Sequence, residues 1–160
     1  MSEVDYVIPS ITVKQSAIIH INDLYKIMKR WFSDNGYYVE EKEYNDTNKT
    51  SLKIKWACYK KIDDYLRFVI VVKLKAKNIE NITIKNKKMQ KAEMEIVFES
   101  YLESDYKDYW EEKGTSKFLR GIYDKYVQKN KREKYNDELK EETHDAYNEV
   151  KSYLGLHVLK

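Results

Sequence analysis

Apolar and polar residues alternate through most of the first hundred positions, and then the spacing becomes helical. Ile11, Val13, Ala17, Ile19 and Ile21 share one phase of a strand predicted over Val7–Ile21. Pro9 cannot donate to a ladder, which an edge or a strand start tolerates. Asn22 offers an N-cap, with Asp23 at the positive end of the helix that follows. Leu24, Ile27, Met28, Trp31 and Phe32 recur at spacings of three and four, giving that helix one apolar stripe. Asn35-Gly36 ends it, the glycine supplying a left-handed cap.

Strands follow over Tyr37–Tyr44, Leu52–Ile62 and Tyr65–Lys77, separated by polar turns at Asn45–Thr50 and Asp63-Asp64. The third has apolar residues in both phases, since Val69 and Val71 flank Ile70, which predicts an interior strand covered partly on both faces. A short strand at Ile82–Lys85 and a turn at Asn86-Lys87-Lys88 lead to a long strand marked by Ala92, Met94, Ile96, Phe98 and Ser100. From Ser116 the period is helical, with the stripe Phe118, Leu119, Ile122, Tyr123, Tyr126 and Val127. A charged break over Lys129–Lys134 separates this from a second helix carrying Leu139, Thr143, Ala146, Val150 and Leu154, stopped by Gly155.

This order predicts an α+β fold: a curved antiparallel sheet of about five or six strands packed on an N-terminal helix, with two C-terminal helices. Residues 1–155 read as a single domain, of which 116–154 are the C-terminal helical part, and 156–160 as a tail. The element order resembles the helix-grip arrangement of START-type domains. Lys53-Ile54-Lys55-Trp56, Asp63-Asp64-Tyr65 with the apolar strand after it, and Phe118-Leu119-Arg120-Gly121-Ile122-Tyr123-Asp124-Lys125-Tyr126 resemble an uncharacterised family of small archaeal proteins. That resemblance implies no activity and carries over no catalytic residue.

Charge changes the picture locally. The net charge of 160 residues is only +3, which argues against a dedicated polyanion binder. Yet Ser51–Lys91 is strongly basic, and Glu93, Glu95, Glu99 and Glu103 follow it with Asp105, Asp108, Glu111 and Glu112. Neighbouring strands of opposite sign neutralise each other across the ladder, so a salt-laced solvent face is the plain expectation. Four glycines and one proline leave no glycine-rich phosphate loop. The wealth of Lys, Asn, Tyr and Ile is what an AT-rich genome produces. No apolar run approaches the ~20 residues of a spanning helix. The acidic start lacks a signal-peptide profile, and one cysteine excludes an internal disulfide. A cytoplasmic location is therefore expected.

Catalytic signals are thin. Cys58 falls in the inward phase of its strand, as a core thiol does. Glu141 and His144 have the i, i+3 spacing of carboxylate di-iron helices, but no second Glu-x-x-His accompanies them. His20 and His157 are isolated in the sequence. No enzyme activity, metal or cofactor is expected. The leading expectation is a non-enzymatic interaction or scaffold module with a protein partner. One alternative is nucleic-acid binding through Lys53, Lys55, Tyr59, Arg67, Lys73 and Lys75, basic side chains with a tyrosine on outward phases of a sheet. Another is a small apolar ligand or lipid held in a helix-grip pocket lined by Trp56, Phe68, Met94 and Phe98. Strand order and oligomeric state stay open at this level.

Overall fold

A computed structural model of the chain describes residues 3–104, 106 and 128–155, with side chains of the last segment from residue 132 onward. Strand β1 spans Glu3–Ile19 and helix α1 spans Ile21–Asp34. Four strands follow: β2 Tyr38–Thr47, β3 Ser51–Lys61, β4 Leu66–Ile84 and β5 Lys87–Ser104. Helix α2, Gln128–Gly155, completes the order. The strands form one antiparallel sheet in the order β1-β5-β4-β3-β2. The fold is therefore α+β with a five-stranded sheet, as the alternation predicts. The predicted Phe118–Val127 stripe and the 156–160 tail lie outside the described residues.

Period-two alternation decides which face is core. The even positions of β3, β4 and β5 point one way, and Ile54, Trp56, Cys58, Phe68, Ile70, Val72, Met94, Ile96 and Phe98 are all buried there. Both helices lie on this face. Tyr25 and Phe32 of α1 meet the Trp56 ring with centroids 5.0 and 6.4 Å away. Tyr135 and Tyr147 of α2 meet Phe68 and Phe98 at 6.0 and 6.2 Å. The predicted α2 stripe holds: Leu139, Thr143, Ala146, Val150 and Leu154 are buried, and the Thr143 hydroxyl donates to the Leu139 carbonyl. The α1 stripe is buried at Leu24, Met28, Trp31 and Phe32, while Ile27 stays half-buried.

Several predicted boundaries move, each for a physical reason. Helix α1 begins at Ile21 with His20 at the cap position, not at Asn22. The Gln90 side chain, brought over by the Ile19–Gln90 pairing, accepts a hydrogen bond from the Ile21 amide at 3.1 Å and replaces a local cap. The predicted short strand at Ile82–Lys85 is the continuation of β4. An irregularity between Lys77 and Glu80, with Asn78 at φ 53°, carries the strand past its break. The hairpin turn falls at Lys85-Asn86, both with positive φ, one residue earlier than expected. The charged stretch Lys129–Lys134 belongs to α2 instead of breaking it, since Lys, Arg and Glu are good helix formers.

The end of α1 is better formed than the sequence suggests. Gly36 sits at φ 83°, and its amide donates to the Ser33 carbonyl while Tyr37 donates to Phe32. The Phe32 and Tyr37 rings then meet at 5.7 Å, the apolar contact that accompanies this helix stop. Tyr37 in turn donates to Glu142 of α2 at 2.8 Å, and Lys60 of β3 pairs with the same carboxylate at 2.6 Å. The Lys60 ammonium also lies over the Tyr37 and Phe68 rings, 5.4 and 5.9 Å from their centroids. One carboxylate thus joins α2, β3 and the α1–β2 corner.

Two outcomes test this core. Phe68→Ala should cost about 3–5 kcal/mol in chemical denaturation, and a loss below about 1 kcal/mol would show that the register is wrong. Burial pushes the Cys58 thiol and the Tyr37 hydroxyl well above their ordinary values of 9.0 and 10.0, with Glu142 adding to the Tyr37 shift. Above those ordinary values the unfolded chain releases protons that the native state keeps. Stability is therefore complete below pH ~9 and falls at higher pH, by ~1.4 kcal/mol per pH unit for each group. Denaturation midpoints compared at about pH 8 and pH 10.5 should show the decline, and Cys58→Ala should lessen it.

Candidate binding face

The odd positions of β3, β4 and β5 form the face that points away from both helices. It carries Lys53, Lys55 and Tyr59 from β3 and Arg67, Lys73 and Lys75 from β4, so the sequence-predicted basic residues do share one surface. Register then sets their neighbours. Lys55 pairs across with Lys73 and Lys53 with Lys75, giving a block of four lysines on two central strands. Like charges directly opposite repel, so the block needs counter-charge. The strands on either side supply part of it. Lys73 meets Glu99 at 2.9 Å and Lys53 meets Glu43 at 3.9 Å. Glu95 stands beside Lys75, and Glu93 beside Lys77. Among the described residues, Lys55 and Lys75 have no carboxylate within 4.0 Å.

Arg67 shares the face but is already engaged. It forms a two-pronged pair with Glu103, its Nη2 lying 3.0 and 3.1 Å from the two carboxylate oxygens. Its guanidinium also lies over the rings of Tyr59 and Tyr106, 4.2 and 4.8 Å from their centroids. The Tyr106 hydroxyl donates to the Asp63 carbonyl, and the Asp63 carboxylate accepts from the Tyr65 and Leu66 amides. Asp63 therefore shapes the β3–β4 turn, the ordinary use of an aspartate there.

Sequence reading did not anticipate the row that β-pairing makes beside Arg67. Tyr38 pairs with Tyr59, Tyr59 with Val69, Val69 with Tyr101 and Tyr101 with Tyr6. One cross-strand row therefore runs over all five strands and holds four tyrosines around a valine. Val69 is fully buried on a face that both helices leave alone, and Val71 beside it is 9% exposed. The two outermost rings are open, Tyr6 at 58% and Tyr38 at 70%. Tyr6 and Tyr101 touch at 5.4 Å. The Tyr101 hydroxyl is pushed up to about 12, by burial first and the Glu103 charge second. A signal was present: Tyr59 and Tyr101 stand in phase with lysines and glutamates, where a core tyrosine would not. The row itself needs the register.

Trp56, Phe68, Met94 and Phe98 are each at most 2% exposed on the helix-covered face. Trp56 borders a void of about 10 Å³, with Tyr25, Met28, Ile54, Val72 and Leu74 around it. That is room for one water. The Trp56 indole donates to Glu41, which also accepts from the Tyr25 hydroxyl. Cys58 is buried, and Glu141 and His144 are exposed on α2. Among the described residues no group of three His, Cys, Asp or Glu could hold a metal, and no helix is long and apolar enough to cross a membrane. No family model matches the sequence, and no curated protein matches it.

The lysine block predicts an unusual response to charge removal. Lys55→Gln with Lys75→Gln removes two repulsive cross-strand contacts, with Lys73 and Lys53, together with two opposite-charge neighbours, Glu43 and Glu95, and no ion pair within 4.0 Å. These effects oppose one another, so stability should change by less than about 1 kcal/mol at low salt, and the change should shrink as salt is added. A loss above about 1 kcal/mol in denaturation would contradict this arrangement.

Proposed function

We propose that the chain is a non-enzymatic, cytoplasmic interaction module of helix-grip type that presents its outer sheet face to a partner protein. The strand order, with β1 beside the last strand and a long C-terminal helix laid on the same face as α1, supports the helix-grip reading. The tyrosine row carries the functional reading. Tyrosine gives large contact area for little lost side-chain freedom, and it is enriched with arginine at the centres of protein interfaces. Here the four rings surround a buried valine, with Arg67–Glu103 on one side and Lys73–Glu99 on the other. An aromatic centre with paired charges around it matches the anatomy of a protein contact.

The lysine block favours a second reading, single-stranded nucleic acid stacked on the tyrosines with its phosphates on Lys55 and Lys75. Against it stand the glutamates interleaved with those lysines and the prior engagement of Arg67. For an apolar ligand, the void beside Trp56 is one water in size and Trp56, Phe68, Met94 and Phe98 are each at most 2% exposed, so the core around them reads as filled.

The readings separate by substitution. Tyr6→Ser with Tyr38→Ser alters two exposed rings and should leave the fold intact. In native mass spectrometry of nuclease-treated protein, these changes should abolish a stoichiometric protein partner, while Lys55→Gln with Lys75→Gln should retain it. Single-stranded RNA and duplex DNA should not bind at low salt. Binding whose salt dependence weakens with the two glutamines would favour nucleic acid instead.

A further inference from the structure

The two sheet edges differ in how they are defended. Among the described residues β2 is one edge, and it carries Glu40, Glu41, Lys42 and Glu43 around a register shift between Glu41 and Glu43. Charges and irregularities of this kind discourage pairing with another chain. The other edge, β1, has its irregularities confined to the stretch from Tyr6 to Ile11, around Pro9. From Ile11 to Ile19 its pairing with β5 is uninterrupted, and the nine residues contain one charge, Lys14. Among the described residues this is a long, regular strand with one row of backbone groups unmatched in the sheet.

Its sequence is also close to palindromic in character about Gln15. A two-fold axis there pairs Ile11 with Ile19 and Val13 with Ala17 on the helix-covered face. On the outer face it pairs Thr12 with Ile18 and Lys14 with Ser16. Ile11–Ile19 and Val13–Ala17 are apolar with apolar, Thr12 sets its β-branched side chain against the β-branched Ile18, Lys14 meets the neutral Ser16, and no like charges meet. An antiparallel pair of identical strands needs this self-complementarity, because each residue meets its symmetry mate's counterpart. The same operation on the acidic stretch of β2 sets glutamates against one another. We infer that β1 pairs with β1 of a second copy of this chain, antiparallel and centred on Gln15, extending the sheet to ten strands. The tyrosine row reaches β1 only at Tyr6, which lies outside the paired stretch Ile11–Ile19.

The register gives a test on exposed residues. Ser16 is exposed and lies beside Glu93 within its own sheet, so Ser16→Lys gains an intrachain partner and keeps the fold. Across the axis it faces the partner's Lys14 twice per dimer. Sedimentation equilibrium should show wild-type dimers, with dissociation constants raised about tenfold by Ser16→Lys. Lys14→Ser combined with Ser16→Lys, which exchanges the two side chains without setting a carboxylate against Glu95, should restore wild-type affinity. Circular dichroism and a denaturation midpoint verify folding of each variant. A wild-type chain that stays monomeric at the highest concentrations would overturn the inference. So would a dimer indifferent to Ser16→Lys, or one that the double variant fails to restore.

Discussion

The long β4–β5 hairpin depends on the seating of α2. Alternation gives β4 and β5 an apolar face running from Phe68 and Leu102 to Ala76 and Met94, and α1 reaches the sheet mainly at Trp56 on β3. Tyr135 on Phe68 and Tyr147 on Phe98 place α2 along the remainder. The helix is held at several separated points. The Gln15 amide donates to the Leu154 carbonyl, Tyr153 reaches the His20 carbonyl, and Glu142 takes both Lys60 and Tyr37. Removing one member of the last group would strand a charge in a largely apolar setting, which costs more than the pair contributes. The arrangement therefore works less as a source of stability than as a fix on helix position.

Both described helices lie on one face, and the composition of the other follows from the register. Tyr38, Tyr59, Tyr101 and Tyr6 are scattered in sequence, yet fall on one line: β2, β3, β4 and β5 pair without a slip at that level, and two register shifts in β1 between Tyr6 and Ile11 bring Tyr6 opposite Tyr101. A one-residue slip of any strand would turn its tyrosine toward the helices and break the row. Val69, fully buried at the middle of the row, adds an apolar position on the side opposite the main core. The apolar pairs on both phases of β4 thus serve two layers, one under helices and one under tyrosines.

Much of this fold was legible from local pattern. The alternation of Leu66 to Leu74, the stripe Leu139 to Leu154, the stop at Gly36 and the buried place of Cys58 all follow from spacing alone. What escaped the sequence was set by contacts between distant residues. Gln90 caps α1 from another strand, and Asn78 carries β4 through an irregularity that reads as a strand end. Glu142, within the Glu141–His144 segment that looked metal-like, is the residue that matters there, and it matters by anchoring Lys60 and Tyr37. The basic run was legible too, but its meaning was not. Counter-charges at Glu99 and Glu43 and the engagement of Arg67 by Glu103 appear only when neighbouring strands are known.

The place of β1 beside β5 has a consequence for how the chain is made. Ile19 waits for Gln90 and Tyr6 for Tyr101, so roughly 70–100 residues of chain must emerge before the first strand has a neighbour. At ordinary synthesis rates that interval lasts about 4–20 s. During it the hairpins β2–β3 and β3–β4 can close through adjacent contacts, while Ile11, Val13 and Ile19 remain without their sheet. The nascent chain therefore carries its stickiest edge longest, and closure arrives from the far end of the molecule.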